Sequence, residues 1–144
     1  MTDPERAALP ANKACPVVLR QRVGLEILAF EHPLAGLQLV KGTIEAGEAS
    51  AVAAVRELAE EAGVQGIAVR PLGIWQSGFP GQVWAFHECQ VAQALAESWS
   101  HRCGDDGGHE FSFFWHPLAE VPSEQWHPLF QQALAFLRER LAGN

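Results

Sequence analysis

The chain has 144 residues, 48% hydrophobic and 19% charged, which suits one domain with a sizeable core and argues against disorder. Its net charge is −7 with ten Lys and Arg; no basic stripe can track a nucleic-acid duplex, although a small anion can bind if metal ions offset the carboxylates. Cys15, Cys89 and Cys103 are odd in number and far apart, the first residues lack the apolar core of a signal peptide, and no apolar run approaches membrane length; disulfide-built and membrane-spanning classes are set aside and a cytoplasmic protein is expected.

Residues 1–13, rich in Pro, Ala and charge, read as a flexible arm, and residues 14–144 as a single domain. Residues 15–23 are strand-like, and Gly24 separates them from a hairpin partner at 25–30. A third short strand at 37–40 leads into a loop at 41–49 whose two glycines allow a tight turn and close approach to a ligand. A helix follows at 51–62. Strands at 67–75 and 82–91 are joined by the turn-rich connector Gln-Ser-Gly-Phe-Pro-Gly. Residues 92–95 suggest a short helical turn, and 98–108, which carry His101, Cys103 and three glycines, read as the most mobile loop. A strand at 111–115, a turn at 117–122 and a helix from 125 or 126 to 141 close the chain. Strands between two helices imply an α/β sandwich with a mixed sheet.

The most informative segment is 42–64. Ser50 is a good N-cap for its helix, and Gly63 stands where a helix ends in a left-handed residue. At about 100° per residue, Val52, Val55, Leu58, Ala59 and Ala62 share one arc, and Glu57, Glu60 and Glu61 lie on the other. Like charges at these spacings each cost roughly 0.2–0.5 kcal/mol, and Glu60 and Glu61 sit near the negative end of the helix dipole. A hard divalent cation is the partner that best offsets them, because magnesium takes oxygen ligands and keeps waters that a phosphate can replace.

The segment fits G-x5-E-x7-R-E-U-x-E-E-x-G-U, with U aliphatic, through Gly42, Glu48, Arg56, Glu57, Glu60, Glu61 and Gly63, and with Leu58 and Val64 in the aliphatic slots. Seven fixed residues at roughly 7% usage would coincide by chance about once in 10^8 starting positions. The motif resembles the Nudix box of pyrophosphate hydrolases, and the resemblance covers residues 15–141. It implies a Nudix-like α/β/α sandwich with a mixed β-sheet between helices, and a hydrolase of a pyrophosphate bond that depends on Mg2+ (or Mn2+). The implied metal ligands are Glu57, Glu60, Glu61 and the backbone carbonyl of Lys41; Glu57 is ligand or general base. Arg56 would orient the glutamates, with Glu48 as its partner. Relatives carry a further acidic residue beyond the box, for which Glu110 is the first candidate, ahead of Glu88 and Asp106.

The implied partner is a small-molecule nucleotide pyrophosphate: a nucleoside diphosphate linked to another moiety, in the nucleotide sugar, dinucleoside polyphosphate or nucleoside triphosphate class. Lys41 before Gly42 looks like the opening of some dinucleoside polyphosphate hydrolases, whereas Pro80 suits sugar-nucleotide hydrolases of the ADP-ribose group. Lys41 is the candidate phosphate cation, and Phe79 or Trp84 the candidate platform for a base. His101, Cys103 and His109 match no standard zinc spacing. The exposed sheet or terminal helix offers a route to a homodimer, which nothing in the sequence decides. The alternative is a Nudix-fold nucleotide-sensing or partner-binding domain with little catalysis; such a domain is expected to lose box glutamates, and none is lost here.

Overall fold

The structure, a computed structural model, describes residues 10–104 and 108–142. In chain order the strands are β1 (Lys13–Val17), β2 (Leu19–Gln21), β3 (Leu25–His32), β4 (Gly36–Gln38) and β5 (Gly42–Thr43). Helix α1 (Ser50–Ala62) comes next, then β6 (Gly66–Gln76), β7 (Val83–Val91), β8 (Trp99–Cys103) and β9 (His109–Pro117), and finally α2 (Pro128–Ala142). One sheet runs β5-β1-β7-β6 and is mixed, because β1 is parallel to β7 and antiparallel to β5. The other runs β2-β3-β9-β8, with β4 beside β3, and is antiparallel throughout.

The fold is the expected mixed α/β arrangement, but the strand predicted at 15–23 is two strands in two sheets. Up to Val17 the chain bonds to β7; from Leu19 it bonds to β3. Val18 is the crossing point, and its carbonyl accepts from the Leu28 amide at 3.0 Å. Residues 12 and 13 are also tied into the sheet rather than belonging to an arm: Asn12 N donates to the Val83 carbonyl, the Val83 amide donates to Asn12 Oδ1, and Lys13 opens β1. Residues 1–9 lie outside the described part of the chain.

Two apolar cores follow from strand alternation, since successive side chains point to opposite faces. Ile27 and Ala29 of β3 join Val17, Trp84 and Phe86 beneath α2, which contributes Leu129, Phe130, Leu134 and Leu137. Leu28 and Phe30 face the other way and join Leu58 and Ala62 of α1 with Cys103, Phe111 and Phe113. The helices therefore flank the strands. α2 begins later than predicted: Pro128 is its first residue, the Leu129 amide donates to His127 Nδ1, and Trp126 is buried outside the helix.

Residues 99–103 are a strand, not a mobile loop. Their alternation sends Trp99, His101 and Cys103 toward α1: the Trp99 ring stacks on Phe113 with centroids 5.2 Å apart, and Cys103 is buried. The predicted turn of helix at 92–95 is irregular chain. The predicted apolar arc of α1 is also rotated. Val52 is 59% exposed, whereas Ala53, Ala54, Glu57, Leu58, Glu61 and Ala62 are buried. Leu58→Ala is expected to cost about 3 kcal/mol in urea unfolding and Val52→Ala under about 0.5 kcal/mol; equal costs would contradict this orientation of the helix.

Candidate active site

The site starts from small residues. Ala14 of β1 and Ala53 and Ala54 of α1 are fully buried against one another. Without larger side chains between them, helix and strand approach closely, and the inward carboxylates of α1 reach β5. β5 meets them with glycine: a Cβ on Gly42 would lie 1.9 Å from the Glu57 carboxyl carbon. Any side chain there would displace Glu57, which is the physical need behind the glycine that opens the motif.

Ser50 does not cap the helix. The N-cap is Ala49, without a side-chain bond, and Ser50 Oγ instead pairs with His87 Nε2 at 2.8 Å, tying the first turn to β7. The other end is held as predicted by Gly63, left-handed at φ 71°, whose amide donates to the Ala59 carbonyl. β8 satisfies further terminal carbonyls: Trp99 Nε1 donates to Ala62 O at 3.1 Å, and His101 Nε2 lies 3.2 Å from Glu60 O. A Cβ on Gly63 would also strike the His101 ring. His101, set aside above as a zinc ligand, thus helps hold the turn that carries Glu60 and Glu61.

Arg56 organises the carboxylates. Its Nε and Nη2 donate to the two oxygens of Glu48, both at 2.8 Å, in a two-pronged pair. Its Nη1 donates to Glu57 Oε1 at 2.8 Å and to Glu60 Oε2 at 3.3 Å, and Nη2 also reaches the Thr43 carbonyl at 2.9 Å. One planar group therefore fixes the motif loop, β5 and α1 together. The Glu48 carboxyl, bonded to Arg56 and also accepting from the Glu45 amide, is held down at about 2, against an ordinary 4.5. The same bonds, chiefly to Glu48, raise the Arg56 pKa, so that its charge is permanent.

Glu57 and Glu61 are 6% and 8% exposed, while the Glu60 side chain is half exposed. All three line an open cleft of about 590 Å³ with Lys13, Lys41 and Arg56. Among the described residues, no three His, Cys, Asp or Glu side chains are arranged to hold a metal by themselves. The donor set nevertheless suits magnesium, which takes one or two carboxylates and completes its shell with waters and substrate phosphates. Glu57 and Glu61 would supply those carboxylates.

The remaining predicted residues scatter. Lys41 turns its ammonium toward the Trp84 and Phe130 rings, at 5.3 and 5.9 Å from their centroids, and burial together with the Lys13 charge lowers its pKa. Trp84 is fully buried, its Nε1 donating to Gln82 Oε1; as a core residue it cannot stack on a base. Phe79 is 43% exposed on the connector, beside the His127 ring. Glu110 is exposed on β9 opposite Arg102. It alternates with Phe111 and Phe113, which pack toward α1, so its side chain stands on the face away from the cluster. Asp106 lies outside the described residues. Lys13 was missed, although it stands two residues before Cys15, at the edge of a strand-like run.

A family model, NUDIX domain, matches residues 3–136. The fold is similar to that of an ADP-ribose pyrophosphatase from Streptococcus suis 89-1591, with a TM-score of 0.68 at 16% identity over 91% of each chain. It is similar to that of a UDP-X diphosphatase, with a TM-score of 0.68 at 11% identity over 97% of this chain and 67% of that one. It is also similar to a NUDIX hydrolase from Nitrosomonas europaea, with a TM-score of 0.61 at 21% identity over 90% of each chain. No curated protein sequence matches significantly.

Because its folded-state pKa is depressed, the Glu48 carboxylate contributes stability that is complete above about pH 4.5 and is lost as pH falls toward 2. The unfolding free energies of wild type and Glu48→Gln are expected to differ most at neutral pH and to converge across that window. A constant difference would separate Glu48 from the acid response.

Proposed function

The chain belongs to the Nudix family, and from that premise we propose that it is a divalent-metal-dependent hydrolase, cutting a pyrophosphate bond in a nucleoside diphosphate linked to another moiety. One observation carries the reading. Glu57 and Glu61 are buried in the wall of an open cleft beside Gly42, held there by a helix that would be more stable with apolar residues at those positions. A fold keeps carboxylates on the inward face of a helix when their charge is used.

In this reading Glu57, Glu61 and the Lys41 carbonyl would hold Mg2+ or Mn2+, with Glu60 at the exposed margin, and a bound ion would supply charge neutralisation at the phosphates. Arg56 is a positioning residue: saturated by carboxylates and the Thr43 carbonyl, it aims Glu57 and stays protonated throughout. Glu48 acts through Arg56. No role is assigned to Glu110, because the β9 alternation turns it from the cleft. Phe79, the exposed aromatic residue of the connector, is the candidate contact for a base.

The substrate class rests on sequence and neighbours together. The names ADP-ribose pyrophosphatase and UDP-X diphosphatase both describe nucleoside diphosphates that carry another group. Pro80 in this chain points the same way as the first of them. Cleavage would give two phosphorylated products. Such a reaction belongs where nucleotide pyrophosphates are made, which suits the expected cytoplasmic setting.

Glu61→Gln keeps the shape of the buried side chain and removes its charge. Against a panel of nucleotide sugars, dinucleoside polyphosphates and nucleoside triphosphates with Mg2+ or Mn2+, it is expected to lower kcat at least about 100-fold, with the circular dichroism spectrum of wild type. Unchanged turnover would remove Glu61 from the mechanism. A wild-type protein that binds one panel member tightly and hydrolyses none would make the fold a nucleotide sensor.

A further inference from the structure

Three cations line the cleft, and their surroundings differ. Arg56 is committed to Glu48, Glu57, Glu60 and the Thr43 carbonyl. Lys41 lies over Trp84 and Phe130 at the edge of the core, and its charge also interacts with the Glu61 carboxylate. Lys13 is half-buried at the start of β1, and its Nζ donates to Thr43 Oγ1 at 2.8 Å. That partner is a neutral hydroxyl. Among the described residues no carboxylate forms an ion pair with Lys13, although the cleft it lines also holds Glu45, Glu57, Glu60 and Glu61.

An ammonium has three donors, and Thr43 Oγ1 takes one. The backbone fixes where the others can act. Lys13 pairs in register with Thr43 of β5 on one side and Trp84 of β7 on the other, between the motif loop and the strand that follows the connector. Asn12 strengthens the same junction, its Nδ2 donating to the Gly81 carbonyl. Neighbouring strands stand about 4.8 Å apart, so the motif loop and the connector are separated by roughly 10 Å. A diphosphate bridging the buried glutamates and the exposed Phe79 would cross the Lys13 strand.

We propose that Lys13, not Lys41, is the phosphate-binding cation of the cleft, holding a phosphate of the substrate's pyrophosphate group as a point charge. The inference rests on the hydrolase reading for the identity of the ligand, but its geometry is independent of catalysis. The role suits lysine: strong hydration keeps its ammonium at the wet margin of the cleft, while a flexible stem lets it follow the anion. It also gives the cleft, otherwise dominated by carboxylates, a positive group that draws an anion in.

The test compares wild type with Lys13→Met, Lys13→Arg and Lys41→Met. Steady-state kinetics on the best panel substrate is paired with calorimetric binding of inorganic pyrophosphate in Mg2+, and thermal unfolding checks the fold. Lys13→Met is expected to raise KM and the pyrophosphate Kd by about tenfold, to change kcat by less than about threefold, and to flatten the salt dependence of binding. Lys13→Arg is expected to recover most of the affinity. A KM and Kd that do not move in Lys13→Met, a loss confined to kcat, or a tenfold loss seen in Lys41→Met instead would overturn the proposal. If wild type hydrolyses nothing while Lys13→Met still loses pyrophosphate binding, the hydrolase reading fails and the Lys13 site stands. If wild type neither binds nor hydrolyses, both fail.

Discussion

Burying the carboxylates of Glu57 and Glu61 on the inward side of α1 is the constraint that the rest of the structure answers. Taking a charge out of water costs several kcal/mol unless it is paired, and removing the partner of a buried pair typically costs about 3–5 kcal/mol. Arg56 supplies the pairing for Glu57, and its fork extends to Glu48, Glu60 and the Thr43 carbonyl. The loop before the helix is shaped by this need: Glu48 must come back to the guanidinium, and the Glu45 amide donates to the same carboxylate. Loop, strand and helix become one unit through a single side chain.

The steric consequences run outward from the same point. Gly42 has no side chain because Glu57 occupies that space, and Ala14, Ala53 and Ala54 are small because helix and strand must come close enough for the carboxylate to arrive. At the far end of α1, Trp99 and His101 hold the carbonyls of the last turn, which keeps the helix in the rotation that sends Glu61 inward. The opposite side of the sheets is built on different terms. There α2 covers an aromatic core around Trp84, Phe86 and Phe130, and Lys41 reaches from the cleft onto its edge. The three cysteines are buried; burial pushes the Cys89 thiol up to about 11 and raises Cys15 as well, so both are packing residues at neutral pH.

The motif, the span of α1 and Gly63 were legible in the sequence because each has a local cause, side-chain spacing, helix propensity and backbone conformation, whereas the Ser50 hydroxyl is drawn from its capping role by His87. The rotation of α1 was not. Apolar arithmetic turned Val52 inward and Glu57 and Glu61 outward, whereas the helix packs with both of these glutamates buried and Val52 exposed, while Leu58 and Ala62 stay inward. The strand at β8 left a weak trace, the alternation of Trp99, His101 and Cys103, which its glycine-rich continuation obscured. The division of residues 13–21 between two sheets left none, since a change of partner at Val18 alters no periodicity. Trp84 was drawn toward a ligand by residue type, whereas its surroundings are those of a core.

The central claim is that the buried pair of Glu57 and Glu61 exists to hold a divalent cation. Thermal unfolding of chelator-treated protein, with and without saturating Mg2+ or Mn2+, tests it most directly when wild type is compared with the double variant Glu57→Gln, Glu61→Gln. A ligand present at 100 times its Kd contributes about 2.7 kcal/mol, so wild type is predicted to gain about 5 °C or more in Tm. The double variant is predicted to gain nothing. A wild type indifferent to both ions, or a double variant that responds equally, would contradict the account.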